Sequence, residues 1–275
     1  MTTTSLSQTA TPWQLQMFDR SLKKQQKLAA LLDILGPVKQ QKCLLLTCGD
    51  NNGALNWYFR EHGGRWVWGD LTGETVEEMS QFLGEPVHHT SEAALPFADN
   101  HFERIISIDC LEHLNDDQPF LQELKRVVHP AGQVIVTVPN GDPKLLANRI
   151  KWWVGMTPEM YGHTRAGYTI AELRESMEKS GFKTNKSGGY SRFFTEMMEL
   201  VINFAYVFVL SRKKSKTEPG QIAPTSSGDM KTHGAAYKIY SLLYPVMSLV
   251  SKLDALLPAS TNNAVIVSGG KVSER

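Results

Sequence analysis

Residues 42–70, KCLLLTCGDNNGALNWYFREHGGRWVWGD, constrain this chain most, because they read as strand, glycine turn, helix, second strand and an acid at that strand's end. Residues 43–46 are an apolar run too short for a helix and too unbroken for a half-exposed strand, so a buried parallel strand is expected. Residues 47–53 break it, and Gly49 and Gly53 admit backbone conformations that strain other residues and let a ligand approach the main chain. Residues 54–62 carry Leu55, Tyr58 and Phe59 at helical spacing, which sets the turn at a helix N-terminus, where free N–H groups favour an anionic group. Residues 65–68 read as the second strand. Asp70 follows Gly49 at roughly the 20-residue interval at which nucleotide-binding folds set an acid against ribose hydroxyls. Taken singly, the glycines equally describe a bare turn, and Asp70 a cap ahead of Thr72 and Glu74. Jointly they describe half of a nucleotide-binding fold.

The rest of the chain repeats the alternation. Residues 1–12, mostly Thr and Ser with almost nothing to bury, are expected to be disordered. Residues 13–35 read as one helix stopped by Gly36-Pro37, placed to lid the fold or simply to pack on it. A helix over 74–83 and a third strand over 86–89 lead to the β-branched run 105–108, a fourth strand with Asp109 and Cys110 at its carboxyl end. In open α/β sheets ligands sit at that edge, near the point where strand order reverses. A helix over 116–128, a turn at HPAG and a fifth strand over 133–138 follow. Such alternation predicts a parallel sheet with helices on both faces. Beyond it come a helix over 145–154, a polar loop over 157–169, a helix over 170–180 and a sixth strand over 182–190. Residues 193–210 are strongly apolar, a Pro/Gly/Ser linker runs to about residue 233, a helix is expected over 235–257, and 264–268 read as the last strand.

With 29 Lys and Arg against 28 Asp and Glu, the net charge of +1 argues against a dedicated nucleic-acid binder. The first residues have neither a basic start nor an apolar core, so no secretory signal is read and a cytoplasmic protein is expected. Cys43, Cys48 and Cys110 lack metal-type spacing, so free thiols and no metal are expected. Residues 193–210 fall short of the ~20 residues of a membrane span and contain Glu196, Glu199 and Asn203. Followed by Arg212, Lys213, Lys214 and Lys216, they suit either an interfacial helix beside anionic lipid, giving peripheral contact with the inner membrane face, or a homodimer or core helix with a solvated basic end.

LPFADNHFERIISIDCLEHL with FLQELKRVVHPAGQVIVTVPN resembles the class I S-adenosylmethionine-dependent methyltransferases, in particular their small-molecule and lipid branch. GHTRAGYTIAELRESMEKSGF resembles that branch's substrate-side loop and following helix, and AVIVS the final antiparallel strand. The resemblance implies a Rossmann-like doubly wound α/β fold with a seven-stranded sheet, parallel but for its last strand, and a helical insertion before that strand. The divisions are 1–40 for tail and lid helix, 41–192 with 263–270 for the cofactor domain, and 193–262 for the insertion. It implies that Thr47, Gly49, Asp50 and Gly53 cradle the methionine part of S-adenosylmethionine, and that Asp70, followed by Leu71, holds the ribose. Ser91 and Glu92 would lie beside adenine, and Asp109 and Cys110 would border the methyl group. The chain departs from the family pattern at Leu45, where an acid is expected, at Thr47, where a glycine is expected, and at Ser91, where an acid is expected.

A methyl group on a sulfonium centre is already activated, so alignment and exclusion of water are the main demands. A hydroxyl acceptor also needs a base near neutral pH, for which His163 and His113 are the catalytic candidates, His113 being equally readable as a structural group. Arg165 and Tyr168 of the same polar loop are candidate substrate binders. The favoured reading is methyl transfer to an amphiphilic or saccharide-linked small molecule. A non-catalytic module at a membrane or protein partner is the alternative, and an NAD-dependent oxidoreductase would share the strand, loop and acid.

Overall fold

The computed structural model describes residues 11–49, 51–204 and 234–272. Asp50, most of the expected disordered tail, the linker and the basic group Arg212, Lys213, Lys214 and Lys216 lie outside the described residues. Seven strands, β1 (Lys42–Thr47), β2 (Arg65–Asp70), β3 (Val87–His89), β4 (Phe102–Ile108), β5 (Val128–Pro139), β6 (Phe182–Tyr190) and β7 (Ala264–Lys271), form one sheet in the order β3-β2-β1-β4-β5-β7-β6. β1 pairs in parallel with β2 on one side and β4 on the other, so strand order reverses there. β7 runs antiparallel to both β5 and β6. This is the Rossmann-like doubly wound sheet with one antiparallel strand.

Helices α1 (Trp13–Phe18), α2 (Leu22–Leu35), α3 (Ala54–Glu61), α4 (Val76–Leu83), α5 (Gln118–Val127), α6 (Leu146–Trp153), α7 (Ile170–Lys179), α8 (Phe193–Phe204) and α9 (Gly234–Ser251) surround the sheet. The unbroken apolar run of β1 has a direct cause. Leu44 and Leu46 enter one core with Phe120 and Leu124 of α5 and Leu173 of α7. Cys43 and Leu45 enter the other with Leu31 and Ile34 of α2 and Phe59 of α3. Alternate residues are thus buried on opposite faces, as a parallel sheet covered on both sides requires.

Two expectations are corrected. The single helix over 13–35 is two, because the chain turns at Asp19–Ser21 and Ser21 Oγ accepts from the Lys24 N–H at 3.4 Å as a cap for α2. The HPAG turn is instead a bulge within β5, where the register with β4 jumps from Phe102 opposite Val128 to Arg104 opposite Gln133. Smaller differences sit at element ends. β4 begins at Phe102 rather than 105, and the helix over 235–257 ends at Ser251 in a 3-10 turn, Lys252–Leu256.

Among the described residues, α8, α9 and two 3-10 turns, Lys252–Leu256 and Ala259–Thr261, lie between β6 and β7. Asp254, in the turn after α9, accepts from the N–H groups of Arg192 (3.0 Å), Phe194 (2.8 Å) and Thr195 (3.2 Å) and so caps α8 from a distant part of the sequence. Arg192 returns the tie through Nη1 to the carbonyls of Asp254 (2.6 Å) and Leu257 (2.8 Å). This fixes the start of α8 over α2 and α6, beside the carboxyl ends of the central strands.

Candidate active site

β1, β2 and β4 end together at the reversal point, so the segments following them converge. After β1 the chain turns through Gly49 (φ +81°) and Gly53 (φ +87°), both in the left-handed region that glycine adopts without strain. A Cβ on Gly53 would sit 2.8 Å from the Phe82 ring. Asn51 and Asn52, both buried, brace this loop. Asn51 Oδ1 accepts from the Gly53 N–H (3.1 Å), its Nδ2 donates to Asn56 Oδ1 (2.8 Å), and Asn52 Oδ1 accepts from the Ala54 N–H (3.2 Å). Sequence reasoning passed over these two residues, although paired asparagines ahead of a glycine are a turn signal in their own right.

Asp70 ends β2 with its side chain fully buried. Its Oδ2 accepts from Thr47 Oγ1 (2.7 Å) and the Gly49 N–H (3.1 Å), and its Oδ1 from the Thr72 N–H (3.0 Å) and Thr72 Oγ1 (2.8 Å). The carboxylate is therefore the hub that ties the glycine loop to the end of β2. Leu71 is half-buried against the core, while Ser91 and Glu92 are exposed on the turn after β3.

At the end of β4, Asp109 takes φ +50°, a conformation rare outside glycine, and Lys27 of α2 forms an ion pair with its carboxylate. α2 thus reaches the strand ends as more than a packing element. Cys110 is buried and its Sγ donates to the Ile108 carbonyl at 3.4 Å. Burial pushes its thiol well above the usual range, and burial with the neighbouring Asp70 pushes Cys48 up to about 12, so both thiols stay protonated. The 3-10 turn Leu111–His113 follows, with the Glu112 side chain fully buried and its carboxyl driven well above its ordinary value by burial and by Asp109.

The polar loop reaches this turn from the other side. Thr164 donates to the Glu112 carbonyl through its N–H (2.8 Å) and its Oγ1 (3.0 Å), and the Tyr168 N–H donates to the Pro139 carbonyl (2.9 Å). Gly167 (φ +115°) is needed there, since a Cβ would stand 2.2 Å from the Pro139 carbonyl oxygen. His163 and His113 meet edge to face, with ring centroids 4.8 Å apart. Burial and the neighbouring His113 lower His163 to about 4, which leaves it neutral near pH 7 but a weak proton acceptor. Tyr168 is buried, with its hydroxyl donating to Asp117 Oδ2 (2.7 Å), and the Arg165 guanidinium lies 3.7 Å over its ring. This pair secures the loop to the body of the domain.

A further group near the site is marked in the sequence only as a polar break in an apolar run. Glu196 of α8 is buried between Lys23 Nζ (2.8 Å) and Lys151 Nζ (2.9 Å) and accepts from Ser191 Oγ (2.5 Å). Against the opposing effect of burial, the two ammonium groups hold its carboxyl far below the usual range. The available signal was a glutamate inside an apolar run.

The glycine loop, the acid ending β2, the turn after β4 and the histidines of two separate segments thus gather at one edge of a doubly wound sheet. Residues 44–136 match the family described as methyltransferase domain. Over those residues the chain is similar to methyltransferase domains. Over 104 residues it is 33% identical to a Mycolicibacterium smegmatis protein named as a probable S-adenosylmethionine-dependent methyltransferase, a stretch covering 38% of this chain and 37% of that protein. A norajmaline N-methyltransferase of Rauvolfia serpentina is 33% identical over 42 residues, 15% of this chain and 14% of that one. The chain therefore spans 37% and 14% of the lengths of these two curated relatives. Among solved structures, phosphoethanolamine N-methyltransferase 2 of Haemonchus contortus, bound to phosphomonomethylethanolamine and S-adenosylhomocysteine, superposes with a TM-score of 0.55 at 16% identity, over 90% of this chain and 53% of that one. The YcgJ protein of Bacillus subtilis gives 0.53 at 14% identity, over 90% and 98%. Both share the fold. The family match takes in the glycine loop, Asp70, Asp109, Glu112 and His113 and ends before the loop carrying His163 and before α8.

Proposed function

We propose that this chain is an S-adenosylmethionine-dependent methyltransferase acting on an amphiphilic or saccharide-linked small molecule. The carrying observation is the convergence of the loop at Gly49, the carboxylate of Asp70 and the turn at Asp109 and Cys110 on the reversal point between β1 and β4. The residues fit the cofactor. Gly49 and Gly53 form a cradle at positive φ, and Asp70 is already fixed by Thr47 and Gly49. Thr72, which is exposed, is the partner that ribose hydroxyls would replace on Asp70. Ser91 and Glu92 would face adenine, and Asp109 and Cys110 the transferable methyl. Asp50 completes the cradle in this reading.

The cofactor when bound supplies a methyl group on a sulfonium, so the chain's own task is to align the acceptor and keep water out. The roof of α2, α8 and the polar loop is suited to exclusion, since Lys27, Lys23 and Thr164 tie all three down over the strand ends. His163 and His113 stand at the acceptor side, where a neutral imidazole accepts a hydrogen bond from an acceptor hydroxyl. Exposed Leu242, Val246 and Leu249 on α9 support an amphiphilic acceptor reached from a membrane surface or within a homodimer. The same face and the grip of Thr47 on Asp70 favour, as the second reading, a non-catalytic binding module. No helix among the described residues is long and apolar enough to cross a membrane.

Calorimetric titration with S-adenosylmethionine, S-adenosylhomocysteine and NAD separates the readings. Stoichiometric binding of the first two and none of NAD is expected. A chain that binds none of the three, while sedimenting with vesicles or dimerising, is the binding module.

A further inference from the structure

We propose that Glu112, His113 and His163 form a site for a borderline divalent cation such as Zn²⁺, Co²⁺ or Mn²⁺. One ligand atom from each of the three lies within 4.8 Å of the others. Bound directly, such atoms stand roughly 2.0–2.2 Å from the metal, so small torsions of the two imidazoles would close the set. Proximity alone would carry little, but Glu112 adds a second observation. Its side chain is fully buried, and neither carboxylate oxygen has a hydrogen-bond partner among the described residues. An isolated buried carboxylate is expensive, and such groups are normally paired or coordinate a metal. The ammonium groups of Lys27 and Lys23 ease the cost of that charge from a distance, but Lys27 pairs with Asp109, and neither hydrogen-bonds the Glu112 oxygens.

The histidines are set up as ligands rather than as packing groups. His113 Nδ1 lies 3.1 Å from the Gly162 carbonyl oxygen. A carbonyl only accepts, so Nδ1 carries the proton and Nε2 presents its lone pair, the arrangement in which an outer carbonyl orients a metal-bound imidazole. His163 comes from a different segment, yet its position relative to Glu112 is fixed by the two hydrogen bonds of Thr164 to the Glu112 carbonyl. Two imidazoles and one carboxylate suit borderline cations over the all-oxygen sets that Mg²⁺ and Ca²⁺ prefer. Three protein ligands leave a coordination position for an oxygen of the acceptor or for water. That last role rests on the methyltransferase reading; the cation site does not.

The test uses the full chain, freed of metal with a chelator and titrated with Co²⁺, then with Zn²⁺ as competitor. One equivalent of Co²⁺ with visible ligand-field absorption, bleached by Zn²⁺, is expected. Glu112→Gln and His163→Ala should each weaken binding by at least the roughly 10- to 100-fold that even outer partners of metal ligands are worth. S-adenosylhomocysteine affinity is measured on the same metal-free samples, so loss of the methyltransferase reading is registered separately. If Glu112→Gln does not fold, His163→Ala, on a surface loop, carries the comparison. Absence of stoichiometric Co²⁺ binding by the parent chain, or equal affinity in parent and folded variants, overturns the site.

Discussion

Thr47 Oγ1 donates to Asp70 Oδ2 over 2.7 Å, across the paired last residues of β1 and β2. Where the family pattern has a glycine, this chain has a hydroxyl that pre-positions the acid. The strand end is thereby fixed before any ligand arrives, and Asp70 acts both as a structural hub and as the proposed ribose acceptor.

That double role gives the first prediction. Asp70→Ala leaves the Gly49 N–H without its acceptor and the buried Thr47 hydroxyl with only the Gly69 carbonyl, at 3.5 Å. The variant should lose about 3 kcal/mol of stability or more, since hydrogen bonds to a charged group contribute about 1.5–3 kcal/mol each. It should also bind S-adenosylhomocysteine far more weakly. Thr72→Val removes only an exposed donor and should leave stability nearly unchanged. Denaturant melts and calorimetry on both variants check this, and equal affinity of Asp70→Ala and the parent would remove Asp70 from the cofactor site.

The second prediction concerns pH. His163 is held near 4 in the folded chain by burial and by His113, below its ordinary value of 6.5. Between those two values the unfolded chain binds a proton that the folded chain excludes, so folding stability rises with pH across that window and is lost as pH falls from 6.5 toward 4. The contribution is on the order of 1–3 kcal/mol. His163→Gln should flatten the pH dependence of urea midpoints measured with chelator present. An unchanged slope would mean that His163 is open to solvent.

Why the strands, the glycine loop and the β4 edge were legible, and the roof was not, follows from where the information lies. β1, β4 and β5 are specified by local apolar or β-branched runs, such as Cys43–Leu46 and Ile105–Ile108, which are buried on both faces. The split of the first helix was also local, but Ser21 sits within an otherwise continuous helical periodicity. Glu112 and His163 meet across the intervening α5, β5 and α6, and Glu196 meets Lys23 and Lys151 only after α2, α6 and α8 pack. No periodicity encodes such meetings. Asp117 shows the same limit, since it reads as a helix start yet receives the hydroxyls of Tyr168 and Ser176 (each 2.7 Å) from a loop and a helix far along the chain.

Glu196→Gln supplies a third prediction. The carboxylate is 2% exposed and sits between two ammonium groups that are themselves largely buried. Neutralising it leaves Lys23 and Lys151 facing each other, and breaking a buried ion pair in this way costs about 3–5 kcal/mol. A large fall in unfolding temperature is expected, partly recovered by adding Lys151→Met. If the single variant melts with the parent, the triad is hydrated and its geometry is not what fixes α8.

The last prediction concerns the insertion. On α9, Leu242 (79% exposed), Val246 (62%) and Leu249 (67%) lie at spacings of three and four residues and form one uncovered apolar stripe, continued by Leu253 and Leu256 in the following turn. Such a stripe is covered by lipid or by a second protein surface. The sequence between α8 and α9 carries Arg212, Lys213, Lys214 and Lys216. If lipid is the cover, each basic residue near an anionic surface contributes about 1 kcal/mol, and binding weakens as salt screens it. The purified chain should then co-sediment with vesicles containing anionic lipid and not with neutral ones. Replacing the four basic residues by Gln should reduce sedimentation, and Leu242→Ser with Leu249→Ser should abolish it without altering S-adenosylhomocysteine affinity. Failure to sediment on anionic vesicles, together with a dimer in sedimentation velocity that Leu242→Ser and Leu249→Ser dissociate, assigns the stripe to a second copy of the chain and takes the membrane out of the account.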